Sequence, residues 1–451
     1  MTGRCDRVET DTIFAVSSGA GKAGVAVVRV SGPASARSVE SLAGSVPAAR
    51  MASLRSIRGR NGEAIDKGLV LWMPGPASFT GEDCVEFHVH GGRAVVAGLI
   101  EALSGLDGLR VAEAGEFARR AFGNGKLDLT EVEGLADLID AETEAQRRQA
   151  LRQLEGRAGR VYDTWRERLI GILALCEAGI DFADEDDVPA GVSQQVGPEI
   201  AELTAEMGRE LADGGRGEMI RDGLTVVIAG EPNVGKSSLI NALARRDVAI
   251  VSEVPGTTRD AIAVRLDLAG VPVTVVDTAG IRETADAIET EGVRRARDHA
   301  SRADLVLWLV ERGTDPMAGP GLDGSGGATA WIVETKVDVK GGDAGRLADN
   351  RFGISAKTGA GISALIEALT DWIQDRVGSG TESVITRARH RSETMAALAA
   401  LERAGRLDYV ADGDLVAEEL RAAANALGRI TGRIDVEDVL DAIFGQFCIG
   451  K

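Results

Sequence analysis

Residues Gly230-Glu231-Pro232-Asn233-Val234-Gly235-Lys236-Ser237-Ser238 have the types and spacing to act on a chain of phosphates. They follow an apolar, strand-like run from Thr225 to Ala229 and precede a helical pattern, Leu239, Ile240 and Leu243. This is a phosphate loop in its expected setting. Its glycines let the backbone approach the phosphates and point amides at them. Lys236 reaches the β- and γ-phosphates, and the Ser237 hydroxyl can ligate Mg2+. The bland alternative is a chance glycine-rich turn, which the flanking strand and helix disfavour. The stretch Gly19-Ala20-Gly21-Lys22 lacks both the spacing and the hydroxyl.

Further motifs extend the site. Val273 to Val276 is a β-rich run ending in Asp277-Thr278-Ala279-Gly280. An aspartate there holds Mg2+ through water, and the glycine amide can sense the γ-phosphate. Gly256-Thr257-Thr258-Arg259-Asp260 lies between these two motifs, so it is read as a switch loop rather than an ordinary turn, with Thr258 completing the Mg2+ shell. Asp304 to Val310 is another buried strand; Ala330 to Glu334 leads into Thr335-Lys336-Val337-Asp338, and Ile354-Ser355-Ala356-Lys357 follows.

In order and spacing these segments resemble the five motifs of a translation-factor-like GTPase. The resemblance implies that Asp338 accepts hydrogen bonds from the guanine ring nitrogen and amino group, which excludes adenine. It implies that Ser355-Ala356 supplies an amide to the guanine oxygen, and it adds Lys336, Lys357 and the loop Ser252-Glu253-Val254-Pro255 to the nucleotide set. Thr335 departs from the pattern, which usually has Asn bonding guanine N7 and bracing the phosphate loop. Thr is shorter and cannot reproduce both bonds. A lost neutral hydrogen bond is worth about 1 kcal/mol, so guanine affinity is expected to be weaker by roughly fivefold.

The elements that position these residues belong to a large chain. Its 451 residues suggest two to four domains, and 44% hydrophobic content supports real cores. No apolar run reaches the ~18 residues of a membrane-spanning helix. Met1 to Asp11 carries both charge signs and no apolar core, so no signal peptide is expected. Cys5, Cys84, Cys176 and Cys448 are scattered, which fits a reducing cytoplasm and disfavours a disulfide framework or zinc ribbon. A net charge of −19 argues against non-specific coating of nucleic acid. It leaves room for a local basic groove: Arg147, Arg148, Arg152, Arg157 and Arg160 on one predicted helix, or Arg387 to Arg391. The alternative for both is a solvated face with carboxylate partners.

The predicted fold class is multidomain α/β plus α. Residues 1–124 read as a mixed α/β domain, with strands at Thr12–Ser17, Gly24–Val30, Leu69–Met73 and Cys84–His90. In the last, Val85, Phe87 and Val89 alternate with Glu86, His88 and His90, giving one buried and one polar face. Residues 125–221 read as helical, opened by a Thr130-x-x-Glu133 capping box and carrying a long apolar stripe from Leu151 to Cys176 on one helix. The nucleotide domain spans 222–375, with an exposed glycine-rich loop at Gly313–Gly327. Residues 376–451 are helical again. The economical reading is a helical domain interrupted by an inserted nucleotide domain.

The chain closes with Leu427-Gly428-Arg429-Ile430-Thr431-Gly432, a helix from Asp435 to Phe447, and Cys448-Ile449-Gly450-Lys451. With Asp11-Thr12-Ile13, Gly24 to Gly32, Phe79-Thr80-Gly81-Glu82-Asp83, His90-Gly91-Gly92, Gly115-Glu116-Phe117 and the run from Arg120 to Leu129, it resembles the MnmE (TrmE) family of tRNA modification GTPases over essentially its whole length. The resemblance implies modification of the tRNA wobble uridine at C5 with an aminomethyl or carboxymethylaminomethyl group. That activity works with the flavoprotein MnmG, GTP hydrolysis and a one-carbon unit from 5,10-methylenetetrahydrofolate or a 5-formyl analogue. It also implies a homodimer formed through the N-terminal domain, with folate bound there. By position, Arg29, Glu86, Lys126 and Lys451 match folate contacts. Asn233 matches a K+ ligand, with Ser252, Val254 and Thr257 adding ligands. Glu289 matches the glutamate that orients attacking water, and Arg282 falls in the second switch. Cys448 is either a nucleophile toward C6 of uridine or a packing residue. A GTP-switched ribosome-assembly factor is the runner-up, and a helical scaffold with a vestigial nucleotide site is the third reading.

Overall fold

The structure, a computed structural model, describes residues 11–19, 21–181, 192–250, 263–277, 303–313, 329–378, 383–409, 411–434, 437–445, 447 and 450. They fall into two compact units: residues 1–136, 152–198 and 399–451 form one, and residues 137–151 and 199–398 the other.

The first unit is built on a sheet of β1 (Thr12–Val16), β2 (Ala23–Ser31), β3 (Ser53–Arg58), β4 (Ala64–Met73), β5 (Cys84–Gly91) and β6 (Leu109–Val111), in the order β3-β4-β5-β2-β1-β6. The expected strands are present, and β3 and β6 are additional. Strand β3 buries only Ile57, so it lacks the apolar alternation that marks the others. Helices α1 (Ser35–Ala43) and α2 (Arg93–Ser104) cover one face, where Phe14, Val28, Val30, Val70, Val85 and Phe87 are buried with Val39, Leu42 and Leu99. The register pairs Ala15 with Arg29, Arg29 with Glu86, and Glu86 with Leu71. Alternation therefore sends these residues to the opposite face. Helix α3 (Glu116–Gly123) brings Phe117 to Ile13 and Ala15 on that face.

Helix α4 (Leu129–Asp140) begins earlier than the Thr130 capping box implies. Asp128 Oδ1 accepts from the Glu131 amide at 2.8 Å, and Glu131 Oε2 accepts from the Asp128 amide at 2.7 Å. The box is Asp128-x-x-Glu131, and Thr130 and Glu133 are buried inside the helix. The long helix expected across residues 151–176 is likewise two, α5 (Glu144–Leu154) and α6 (Arg157–Asp181). The break falls at Gly156, whose φ of 78° no helix accommodates and glycine adopts without strain. After α7 (Val192–Asp222) the chain enters the nucleotide domain and returns to the first unit only at residue 399.

The second unit holds a sheet in the order β12-β13-β11-β10-β7-β9-β8. Its strands are β7 (Leu224–Gly230), β8 (Ala263–Leu268), β9 (Val271–Asp277), β10 (Leu305–Glu311), β11 (Thr329–Thr335), β12 (Gly345–Ala348) and β13 (Arg351–Gly353). The five interior strands are parallel, and β8 and β12 are antiparallel edges. Helix α8 (Lys236–Ala244) buries Leu239, Ile240 and Leu243, and the helix Ile362–Val377 buries Leu365, Leu369 and Ile373, in one core with the sheet. The short helix α9 (Val337–Lys340) follows β11. In a doubly wound sheet, loops at the carboxyl ends of the strands form the ligand crevice. Among the described residues, no helix is long and apolar enough to cross a membrane.

Candidate functional site: a phosphate-loop nucleotide site and a polar sheet face

The nucleotide-site residues gather at the carboxyl ends of β7, β9, β11 and β13. Strand β7 ends at Gly230, where an added Cβ would sit 2.4 Å from the Leu309 carbonyl oxygen on β10. Only a glycine lets the loop leave the sheet so close to its neighbour. Asn233 is exposed with φ 63°, and Val234 is buried beneath the loop. Lys236 opens α8. Its Nζ donates to the Gly230 and Glu231 carbonyls, each at 2.9 Å, which fixes the ammonium at the mouth of the loop. Burial pulls its pKa down, while Asp277 works in the opposite direction.

Ser237 is exposed, and its Oγ donates to Asp277 Oδ2 at 2.9 Å. Asp277 is fully buried at the end of β9. A hydroxyl oxygen beside a carboxylate, next to a helix N-terminus that accepts phosphates, is the hard-oxygen donor set that suits Mg2+. Ser238 follows on the exposed side of α8.

Thr335 is buried at the end of β11, and its Oγ1 donates to the Val234 carbonyl at 2.7 Å, with the Val310 carbonyl at 3.3 Å. The bracing bond to the phosphate loop is therefore kept. A hydroxyl has a single proton to give, so none is left for a base nitrogen. Thr335→Asn, whose amide has two protons, is expected to tighten GTP binding about fivefold. Nucleotide titration checks this, and no gain would count against it.

Lys336 has φ 60°, and its Nζ pairs with Glu311 at 3.2 Å, while Lys340 pairs with the same carboxylate at 3.1 Å. Asp338 is exposed in the first turn of α9. Ser355 is buried. Its amide donates to the Ala360 carbonyl at 2.9 Å, and its Oγ accepts from the Thr358 amide at 3.2 Å. That tight turn leaves Ala356 half-buried and Lys357 exposed. Ser252, Glu253, Val254, Pro255, Gly256, Thr257, Thr258, Thr278, Ala279, Gly280, Arg282, Glu289, Cys448 and Lys451 lie outside the described residues.

A second polar site lies on the sheet face opposite α1 and α2. The Arg29 guanidinium donates to Glu86 Oε1 at 2.9 and 3.1 Å and stacks over Phe79 and Phe117, 5.3 and 5.8 Å from the ring centres. Burial pushes Glu86 up, but Arg29 and His88 more than offset it and hold the carboxyl below its usual range. His88 Nε2 lies 3.1 Å from Glu86, and His90 pairs with Asp66 at 2.9 Å. The Phe79–Asp83 loop is seated from below. Ser31 Oγ donates to Glu82 at 2.6 Å, and the buried Arg120 donates to Glu82 at 3.2 Å, Glu116 at 3.0 Å and Asp11 at 2.9 Å. Lys126 is exposed and runs along Gly81, where an added Cβ would sit 3.3 Å from its Cγ. Ser17, just past β1, donates its hydroxyl to the Gly450 carbonyl at 2.8 Å.

The candidate basic grooves are not free charge. Arg147 and Arg148 donate to Glu144 at 2.7 and 2.6 Å, Arg387 to Asp137 at 2.6 Å, and Arg391 to Glu218 at 2.9 Å. The first set is also divided between α5 and α6. Two features of the sites were missing from the sequence reading. One is the buried Arg120 network, whose members are scattered from Asp11 to Arg120. The other is Glu334, whose signal was available: like Asp277, it is an acidic residue ending a buried strand.

Comparison with known proteins adds a family. A profile described as the MnmE helical domain matches residues 129–448, and one described as the GTP-binding protein TrmE N-terminus matches residues 12–126. The nucleotide fold lies inside the first span, so the helical domain is interrupted by an inserted P-loop domain. The chain is 54% identical over 445 residues to the "tRNA modification GTPase MnmE" of Bradyrhizobium sp. (strain ORS 278), covering 98% of this chain and 99% of that one. It is 54% identical to the protein of the same name from Parvibaculum lavamentivorans (98% and 100% covered), and 52% identical to that of Rhodopseudomonas palustris strain BisB5 (98% and 99% covered).

Proposed function

Because this chain belongs to the MnmE family of tRNA modification GTPases, we propose that it hydrolyses GTP to drive a group transfer to C5 of the tRNA wobble uridine. The group is aminomethyl or carboxymethylaminomethyl, installed with the flavoprotein MnmG. The observation that carries the hydrolysis in this reading is the bond from Ser237 to Asp277, 2.9 Å, beneath a loop whose lysine is already fixed at its mouth; the tRNA part rests on the family. Lys236 binds the β- and γ-phosphates and spreads their charge, and Ser237 and Thr258 ligate Mg2+ with Asp277 behind. Asp338 and the Ser355-Ala356 turn select guanine. Asn233, with Ser252, Val254 and Thr257, holds a K+ ion beside the phosphates. Glu289 orients the attacking water, and Arg282 moves with the second switch.

The polar sheet face is the proposed tetrahydrofolate site. Its residues suit the group: Glu86, oriented by Arg29, accepts the pterin's paired N–H donors, and Lys126 and Lys451 suit carboxylates. When bound, the folate supplies the one-carbon unit. The aromatic faces of Phe79 and Phe117 keep Arg29 from turning away. The proposed homodimer uses the same N-terminal domain, where Val25, Leu54 and Leu69 are 55%, 57% and 41% exposed. Cys448 is assigned as the candidate nucleophile toward C6. The cytoplasm is the compartment that holds this tRNA substrate.

The test is mass spectrometry of tRNA nucleosides from cells lacking the gene, with and without a plasmid copy. Loss of aminomethyl-type wobble uridines, restored by the plasmid, is expected. An unchanged profile would sink the reading and favour a ribosome-assembly role.

A further inference from the structure

We propose that Glu334 is a positioning residue for guanine recognition: by tying the ends of β10 and β11 to β13, it fixes the spacing between the Asp338 loop and the Ser355 turn. The inference rests on the nucleotide reading above and adds to it a residue that touches no nucleotide.

Glu334 is the penultimate residue of β11 and is 3% exposed. Its Oε2 accepts from Arg312 Nη1 at 2.5 Å, just past β10, and its Oε1 accepts from Arg351 Nε at 2.6 Å, the first residue of β13. Arg351 Nη2 joins the same oxygen. The two guanidiniums outweigh burial and hold the carboxyl below its usual range.

The main chain repeats the connection. The Glu334 carbonyl accepts from the Ile354 amide at 2.8 Å, one residue before Ser355. The Arg312 amide donates to the Thr335 carbonyl at 3.3 Å, and the Val337 amide reaches the Ile354 carbonyl at 3.4 Å. Beyond α9, Gly342 lies so close to Arg312 that an added Cβ would sit 2.8 Å from its Nε. Arg312 thus lies against both ends of the Thr335–Gly342 loop.

Arg351 and Ile354 shortly precede Ser355, and the Arg312 amide bonds the Thr335 carbonyl at the start of the Asp338 loop. This matters more here because Thr335 has its one proton committed to Val234. Base selection then falls on two separate loops, and their spacing depends on what ties their strands together.

The experiment measures affinities of the full chain for GTP and for inosine triphosphate, which lacks the guanine amino group, in wild type and Glu334→Gln. The GTP-to-inosine-triphosphate preference is expected to fall about tenfold in the variant, while kcat at saturating GTP stays within about twofold. A preference equal to wild type, even with lower yield or a lower melting point, overturns the inference, because a purely structural loss scales both nucleotides alike. Should Glu334→Gln fail to fold, Arg351→Gln changes a side chain that is 43% exposed and leaves Arg312 in place, and the same drop in preference is expected. An unchanged preference there overturns the inference equally. A wild-type chain that does not distinguish the two nucleotides removes the guanine reading itself, and the role of Glu334 with it.

Discussion

Asp338→Asn is expected to weaken GTP binding about a thousandfold and to admit xanthosine triphosphate in its place. A carboxylate accepts from both N–H groups on the guanine edge, and hydrogen bonds to a charged group are worth about 1.5–3 kcal/mol each. The asparagine amide keeps one acceptor and turns a donor toward the guanine amino group, which is itself a donor. Xanthine carries a carbonyl at that position, so the same amide gains a partner. Asp338 stands exposed on a four-residue helix, so the exchange leaves the core untouched. Titration with both nucleotides decides it. Retained GTP affinity with no gain for xanthosine triphosphate would show that another group reads the base.

Lys236→Ala is expected to lower the hydrolysis rate by about 100- to 1,000-fold, the usual cost of removing one preorganised donor from developing charge. The ammonium is held by the Gly230 and Glu231 carbonyls, so it meets the phosphates without first being ordered. Its burial is unfavourable by itself, as the downward direction of its pKa reports. Deleting the charge should therefore leave the thermal midpoint close to wild type while activity falls. Single-turnover phosphate release with a melting curve as control separates the two. Full activity in the variant would remove Lys236 from the mechanism.

How much of this was legible in the sequence depends on whether the signal is local. The phosphate loop is one unbroken stretch after a strand, so Lys236 and Ser237 could be assigned from spacing. Asp277 could be assigned because a charged residue closing a run of buried valines needs a reason to be there. Arg29 and Glu86 are 57 positions apart; the family resemblance singled them out, but their pairing follows from the β2–β5 register, which the sequence does not display. The Thr130 cap was a local competition decided by tertiary packing. Both Thr130-x-x-Glu133 and Asp128-x-x-Glu131 satisfy the pattern, and burial of Thr130 and Glu133 leaves the cap to Asp128. The break between α5 and α6 was masked by apolar residues that keep their steps of three and four across it. Gly156 was its only local mark. Glu334 closes a buried run as Asp277 does, but it was passed over because its partners Arg312 and Arg351 are 22 and 17 positions away and come together only through strand pairing.

The bond from Ser17 to Gly450 joins residues 433 positions apart. In time, this means that the first strand is made long before the residue that bonds the chain just past its carboxyl end. The nucleotide domain is synthesised entirely within that interval. The sheet that carries Arg29 and Glu86 must therefore persist with one end unfinished while the sheet that carries Lys236 and Asp277 is translated and folds. During synthesis the chain is expected to acquire its nucleotide pocket before its polar sheet face is complete.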